Sequence, residues 1–171
     1  MDQIIVAIRT FMEAGGDVLW LIAGATFIMW ALIFERALYI NTEHKRDVGN
    51  ALAYWESRDE RTSWHAHMIR LRLISEVNQR LATNLTYIKT LISLLPLLGL
   101  LGTVTGMVSV FEAMAYSGGN ARSMAAGVSM ATIPTMSGMV ATLSGVLANT
   151  FMSSKVQAES DYMEDTLTMD H

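Results

Sequence analysis

The sequence predicts an all-α integral membrane protein with three transmembrane helices and a cytoplasmic helical hairpin that extends the second span. Two observations lead to this fold class. Of the 171 residues, 51% are hydrophobic and 16% are charged, and the charges are gathered into blocks, a segregation that a soluble core does not need. The intervals between the blocks also reach the roughly 17 residues that a spanning helix requires.

The N-terminal segment, residues 1–17, is predicted to form a periplasmic amphipathic helix. Ile4, Ile8 and Phe11 fall on one face, which is typical of a helix that lies in the membrane interface. The segment lacks a basic stretch before an apolar run, so we expect that it is not a cleaved signal peptide. The pair Gly15-Gly16 is expected to end this helix.

Residues 18–40 form the first predicted transmembrane helix. Trp20 and Trp30 lie toward its ends, where tryptophan anchors a helix in the membrane interface. Glu35 and Arg36 are interpreted as its cytoplasmic exit.

Residues 41–90 are predicted to form a cytoplasmic helical hairpin, because apolar residues recur there at three- and four-residue steps. No proline precedes Pro96, so the second arm, from about Met68, is expected to run without a break into the second span. The result would be one helix of roughly 50 residues, on the order of 75 Å long.

Orientation follows from the basic residues, which resist transfer across the membrane. Residues 35–89 hold nine of the twelve Lys and Arg side chains, so this segment is predicted to be cytoplasmic. The N-terminus and the loop 116–124 are then periplasmic. Residues 152–171 become a cytoplasmic acidic tail, and such an end is usually solvated or frayed.

The second and third spans, residues 91–115 and 125–151, are rich in small and hydroxyl residues. Glycines let helix backbones approach closely, which is how helices associate where lipid removes any hydrophobic drive. A packed oligomer is therefore expected. The glycines assigned to helix packing are Gly99, Gly102, Gly106, Gly138 and Gly145.

Polar residues in these spans are candidates for the lining of a pore. Thr135, Thr142 and Asn149 recur at seven-residue intervals and so share one helix face. Thr103 lies roughly 18 Å from the cytoplasmic start of its span and Thr135 roughly 15 Å from the opposite start, and these depths add to about one 30 Å membrane core. Both threonines are therefore expected at the same level near the midplane.

A purely structural interpretation exists for these hydroxyls, since a buried Ser or Thr often donates a hydrogen bond to the carbonyl four residues before it. For one isolated threonine that interpretation is preferred. For two at matched depth, with a polar stripe below them, a polar lumen or an interhelical site is preferred instead. Pro134, beside Thr135, is expected to free a carbonyl and kink the helix.

Other kinds of chemistry find little support. The chain has no cysteine, His65 and His67 diverge on a helix, and no motif for phosphate binding, nucleophilic catalysis or zinc is present. The arginines of the hairpin are explained by membrane orientation rather than nucleic-acid binding. We therefore expect no enzyme activity, no cofactor, no metal site and no nucleic-acid partner.

One motif carries a family resemblance. The run Pro96-Leu-Leu-Gly-Leu-Leu-Gly-Thr-Val-Thr-Gly106 resembles the P-x-x-G-L-x-G-T-V-x-G signature of the ExbB/TolQ/MotA proton-channel family, and residues 127–149 resemble its third span. Length and the three-span plan are most similar to the short ExbB of TonB energy-transduction systems, because MotA has four spans.

The resemblance implies a homopentamer in the bacterial inner membrane whose second and third spans surround a central pore. Thr103 and Thr135 match the pore threonines of the family. The pore would hold an ExbD-like single-span subunit whose aspartate carries the proton, and the proton motive force would energise a TonB-like protein for outer-membrane import of nutrients such as iron-siderophores.

Two positions depart from the family pattern. Many ExbB proteins carry a glutamate where this chain has Met130, and the proline further along that span is replaced by Ser144. We therefore expect the threonines to shape a hydrated sleeve around the partner's aspartate, since a threonine hydroxyl does not ionise. Glu112 is the only acidic residue of the second span.

Three alternatives remain open. TolQ-like envelope maintenance shares the same physics, as does a flagellar stator, which is disfavoured because a fourth span is missing. The third is a passive membrane scaffold in which the small residues only pack helices. A neighbouring gene for a short single-span protein with one membrane-embedded aspartate would favour the motor over the scaffold.

Overall fold

The computed structural model describes residues 2–57, 63–117 and 121–166. Within them three stretches are long and apolar enough to cross a membrane: Gly15–Glu56, Trp64–Tyr116 and Met124–Thr166. The predicted all-helical, three-span architecture is thus confirmed at the level of helices. These described residues form six α-helices: α1 (Asp2–Thr42), α2 (His44–Glu56), α3 (Trp64–Ala82), α4 (Leu85–Ser117), α5 (Ala121–Ala131) and α6 (Ile133–Thr166).

α1 contains a kink where the amphipathic segment was expected to end. Gly16 has φ 64° and ψ −163°, which is not a helical conformation. A residue with a Cβ rarely adopts this positive φ, whereas glycine does so at little cost.

The long helix expected from the hairpin into the second span is divided in the structure. α3 ends at Ala82 and α4 begins at Leu85. Thr83 is extended (φ −54°, ψ 141°) and Asn84 lies in the left-handed region with φ 66°. Asparagine tolerates that region better than most residues, so the break needs neither glycine nor proline, the two signals on which the expectation relied. The hairpin's tip, residues 58–62, lies outside the described residues.

The third span is also divided, at Thr132, between α5 and α6. The cause is Pro134, which lacks a backbone N–H and fits best in the first turn of a helix. α6 then continues to Thr166, so the segment predicted as an acidic tail is helical to that point. Residues 167–171 and 118–120, which belong to that tail and to the predicted periplasmic loop, lie outside the described residues.

The chain divides into two compact units. The first unit comprises Met1–Trp30 and Lys89–Val146, and the second comprises Ala31–Ile88 and Leu147–His171. Each has its own buried apolar side chains. In the first unit these include Leu19, Ile22, Met29, Ile92 and Leu95, and in the second they include Ile40, Trp55, Leu81, Ile88 and Met163.

Candidate functional site

In the first unit, α4 and α6 approach so closely that their backbones touch. A Cβ on Gly99 would lie 2.9 Å from the Cα of Thr135, and one on Gly138 would lie 2.6 Å from the Leu95 carbonyl oxygen. Both distances are shorter than real Cβ contacts allow. The obstructing atoms are backbone, which moves little, so only glycine fits at these two positions.

The remaining glycines of this helix pair meet mostly side chains. Gly102 faces the ring of Pro134, and a Cβ on Gly106 would lie 2.7 Å from the Cβ of Ala131. A Cβ on Gly145 would lie 2.5 Å from the Met29 sulfur, a flexible neighbour. The structure therefore places all five glycines assigned to helix packing at close contacts within the first unit.

The hydroxyl of Thr135 crosses from α6 to α4. Its Oγ1 donates a hydrogen bond to the Gly99 carbonyl oxygen at 2.8 Å. In a continuous α-helix the same carbonyl accepts the N–H four residues later, which in α4 belongs to Thr103. A carbonyl has two lone pairs and accepts both bonds. The two candidate threonines therefore converge on one carbonyl group, although their hydroxyls do not bond each other.

The other two threonines bond within their own helices. Thr103 Oγ1 donates to the Leu100 carbonyl oxygen at 2.7 Å, and Thr142 Oγ1 donates to that of Gly138 at 2.8 Å. These are the local bonds to the helix's own carbonyls that the purely structural interpretation expects. The interhelical bond thus distinguishes Thr135 from Thr103 and Thr142.

Asn149, the last residue of the predicted polar stripe, belongs to the second unit. Its Oδ1 is buried and accepts no hydrogen bond in the described part of the chain. A buried acceptor without a partner is unusual in native proteins and is often satisfied by water or by another chain. Asn149 therefore presents an unused acceptor.

A cavity of about 580 Å³ lies in the first unit beside the kink of α1. Its lining includes Met130, which departs from the glutamate expected from the ExbB resemblance, together with the hydroxyl residues Thr105 and Ser109. Both hydroxyls donate to carbonyls of their own helix, at 3.0 and 3.1 Å. Methionine at position 130 adds no carboxylate, so the acidic residues that line this cavity are Glu13 and Asp17.

The sequence interpretation missed one buried charge. Arg36 was taken as the exit of the first span, yet it is only 2% exposed. The available signal was an arginine close behind a long apolar run, a pattern that buried and solvated arginines share. Its contacts belong to the second unit and are described below.

Comparison with known proteins identifies the family. The sequence profile of the MotA/TolQ/ExbB proton channel family matches residues 40–165, which is well over half of the chain. The chain belongs to this family. That membership confirms the resemblance drawn from the Pro96–Gly106 motif, and it makes the chain a membrane protein of a channel and motor family rather than of an enzyme family.

One curated relative supports the same assignment. Over 79 residues the chain is 37% identical to a Synechocystis sp. protein named as an ExbB-like biopolymer transport protein. The aligned part is 44% of this chain and 31% of the relative. The chain therefore spans about a third of the length of that relative.

Proposed function

We propose that this chain is the channel-forming subunit of a proton-driven motor that energises a TonB-like protein. In this proposal five copies surround an ExbD-like single-span partner, and the complex lies in the inner membrane with the N-terminus periplasmic and the C-terminus cytoplasmic. The single observation that carries the proposal is the bond from Thr135 to Gly99, which fixes a hydroxyl at the contact between α4 and α6.

The direction of that bond decides what Thr135 offers to a partner. A hydroxyl has one hydrogen, and Thr135 donates it to Gly99, so lone pairs remain for a partner. The Thr103 hydroxyl likewise donates its hydrogen, to the Leu100 carbonyl oxygen, and so keeps its lone pairs. Both threonines therefore act as acceptors. A protonated carboxylic acid donates to an acceptor, whereas a carboxylate anion has no hydrogen to donate.

It follows that the pore favours the protonated form of a partner's carboxyl group. A neutral acid also avoids the cost of placing a charge at the membrane midplane. Deprotonation would then remove the bond to the threonines and release the partner's helix from this position. The proton motive force supplies about 2.3 kcal/mol for each charge moved through 100 mV.

In this proposal the proton carrier at the Thr135 level comes from another chain. Glu112 is the only acidic residue of α4, and α6 has no charged residue before Lys155. Threonine does not ionise in the physiological range. A carboxyl on a partner helix supplies the missing titratable group.

Exposed apolar faces on α4 and α6 support an assembly of several helices. Leu97 and Val104 of α4 are 60% and 54% exposed, and Met139 and Phe151 of α6 are 61% and 78% exposed. In a membrane such faces meet lipid or other helices. Five copies and a central partner would cover part of them, and lipid the rest.

The proposal is tested by replacing Thr135 in the chain assembled with its partner and measuring proton uptake into proteoliposomes. Thr135→Val removes both the donor and the acceptor and is expected to lower partner-dependent flux up to about tenfold, the equivalent of roughly 1.4 kcal/mol. Thr135→Ser keeps the hydroxyl and is expected to retain most of the flux.

Ser137→Ala is the matched control, because it removes a hydroxyl of the same helix that makes only a local bond, to the Ile133 carbonyl oxygen, and that is not a pore-lining candidate. Its flux should stay close to that of the unchanged chain. Normal flux in a correctly assembled Thr135→Val complex would remove Thr135 from the mechanism.

A passive scaffold is the second candidate, favoured by the close glycine contacts and by the local bonds of Thr103 and Thr142. It predicts no proton flux with any single-span partner. A TolQ-like role predicts the same flux but a defect in envelope integrity, rather than in nutrient uptake, when the gene is deleted.

A further inference from the structure

Two adjacent residues of α1 bridge the break between α3 and α4. Glu35 accepts a hydrogen bond from Asn84 Nδ2 at 3.0 Å, and Arg36 donates through Nη2 to the Arg80 carbonyl oxygen. Arg80 lies in the last turn of α3, and Asn84 directly precedes α4. α1 therefore contacts the chain on both sides of the break, entirely within the second unit.

The joint between α3 and α4, formed by Thr83 and Asn84, is held only weakly by backbone contacts. Asn84 has φ 66°, a conformation that costs a non-glycine residue free energy unless its surroundings impose it. The Thr83 N–H reaches the Arg80 carbonyl oxygen only at 3.4 Å. Side-chain contacts therefore supply much of what fixes the relative direction of α3 and the first turn of α4.

Of the two α1 side chains, Arg36 is placed to contribute more than Glu35 to fixing the joint. It is 2% exposed, and its guanidinium carbon lies 4.4 Å from the centre of the Tyr39 ring. A cation near the last carbonyls of a helix is favourable because those groups carry partial negative charge. The buried Nε has no hydrogen-bond partner among the described residues, so the single bond to Arg80 carries much of the compensation for burying the charge.

A second set of contacts joins α2 to the same end of α3. The Tyr39 hydroxyl donates to Asp47 Oδ2 at 2.7 Å, and that carboxylate oxygen lies 3.6 Å from Arg80 Nη1. Arg80 also pairs with Glu76 at 3.2 Å. Tyr39 thus contacts both the Arg36 guanidinium and the carboxylate that holds the Arg80 side chain.

We propose that Arg36 is a positioning residue that locks the α3–α4 joint, so that a displacement of α4 is passed to α3 instead of being absorbed at Thr83 and Asn84. α4 also carries Gly99 and Thr103 of the candidate pore. The part that concerns proton flux rests on the proposed function, whereas the rigidity of the joint does not.

The experiment measures the distance across the joint. The chain has no cysteine, so spin labels at Arg72→Cys and Tyr87→Cys, both exposed positions, report on α3 and α4 without background. The labelled sites are about 22 Å apart along the two helices. Pulsed electron paramagnetic resonance should show one narrow distance distribution when labelled copies of the full chain are diluted with an excess of unlabelled copies and assembled with the partner in lipid nanodiscs.

Arg36→Met should broaden or split that distribution, since losing a charge-assisted hydrogen bond shifts an equilibrium by roughly tenfold or more. Arg36→Lys keeps the charge and should restore part of the narrow population. Arg46→Gln removes an exposed cation of α2 outside the joint and should change nothing. Proton flux, measured after reconstituting the same variants with the partner into proteoliposomes, should fall with Arg36→Met and recover in part with Arg36→Lys.

Arg36→Gln provides a second route if Arg36→Met does not assemble. It removes the charge that lies beside the Tyr39 ring and the Arg80 carbonyl, and it should also broaden the distribution. A narrow, unshifted distribution in the assembled Arg36→Met complex, or in Arg36→Gln where the first variant fails, would overturn the proposal. A broadened distance distribution with no loss of proton flux would overturn the claim that the joint passes displacement of α4 to α3. An unchanged chain that carries no protons would instead refute the proposed function, and the distances would still decide the role of Arg36.

Discussion

The two units of this chain are stabilised by different kinds of contact. In the first unit, helices meet through glycine, with backbone atoms of α4 and α6 in direct contact at Gly99 and Gly138. In the second unit, charged and polar side chains join different helices, including Arg36 to the Arg80 carbonyl, Tyr39 to Asp47 and Arg70 to the Glu164 carbonyl. The first pattern suits helices surrounded by lipid and the second suits helices in contact with water.

This difference separates two kinds of sensitivity. The first unit should be damaged by an added methyl group, because there is no room for it between two backbones. The second unit should be damaged by removing a charge or a hydroxyl, because its helices are joined by those groups. Substitutions in each unit therefore test the comparison directly.

Gly138→Ala should have the largest effect. The new Cβ would lie 2.6 Å from the Leu95 carbonyl oxygen and 3.3 Å from the Gly99 Cα, so α6 must move away from α4. Overpacking of this kind costs about 1–3 kcal/mol, and the fixed backbone places this site at the upper end. Thermal unfolding of the detergent-solubilised chain and recovery of the assembled complex measure it.

Gly24→Ala is the matched control for that substitution. It lies in α1, where no side chain and no other helix among the described residues comes within 4 Å of the new Cβ, so it should be neutral or stabilise the helix by up to about 1 kcal/mol. Equal melting temperatures for the two variants would contradict the account of backbone contact.

Asp47→Ala tests the second unit and should have an intermediate effect. The substitution removes the acceptor for the Tyr39 hydroxyl and the partner of Arg80. Because Asp47 is partly exposed, we expect a loss of about 1–2 kcal/mol in the free energy of unfolding rather than the full value of a buried charged bond. Tyr39→Phe, which keeps the ring beside Arg36, should cost less, and an equal cost would show that Arg80 contributes nothing.

Gly145→Ala compares obstruction by side chains with obstruction by backbone within the first unit. Its new Cβ would meet the Met29 sulfur at 2.5 Å and Ile92 Cγ1 at 2.9 Å, and methionine adapts to such a change. The expected loss is about 1 kcal/mol in the same unfolding assay. A loss as large as that of Gly138→Ala would show that backbone and side-chain obstruction are equivalent here.

Arg9→Gln should have the smallest effect. Arg9 and Glu13 form an exposed ion pair one helical turn apart, with an Nε–Oε1 distance of 2.9 Å. Such pairs contribute about 0.3–0.5 kcal/mol and are weakened by salt. A melting-temperature shift that persists at high salt would indicate a further role for Arg9.

Much of the fold could be predicted from the sequence, because long apolar runs and clustered charges report directly on membrane spans. The break at Gly16 was also predictable, since glycine marks positions of unusual φ. The break at Thr83 and Asn84 was not, because tertiary contacts from Glu35 and Arg36 stabilise a conformation for which the local sequence gives no clear signal.

The candidate site was only partly predictable. Seven-residue spacing placed Thr135 and Thr142 on one face, but spacing does not reveal which hydroxyl bonds a neighbouring helix. That distinction depends on the close approach at Gly99, where α6 reaches the carbonyl of α4. Burial of Arg36 was likewise hidden, because an arginine after an apolar run has the same sequence pattern whether it is solvated or enclosed.

The central claim of the proposed function is that this chain carries protons only together with an ExbD-like partner that brings a carboxyl group to the Thr135 level. The direct measurement is proton uptake into proteoliposomes under an imposed membrane potential, comparing the chain alone, the chain with its single-span partner, and the complex in which the partner's membrane aspartate is replaced by asparagine. We predict flux in the second preparation and none in the first and third. Equal flux in all three, or none in the complete complex, would contradict the account.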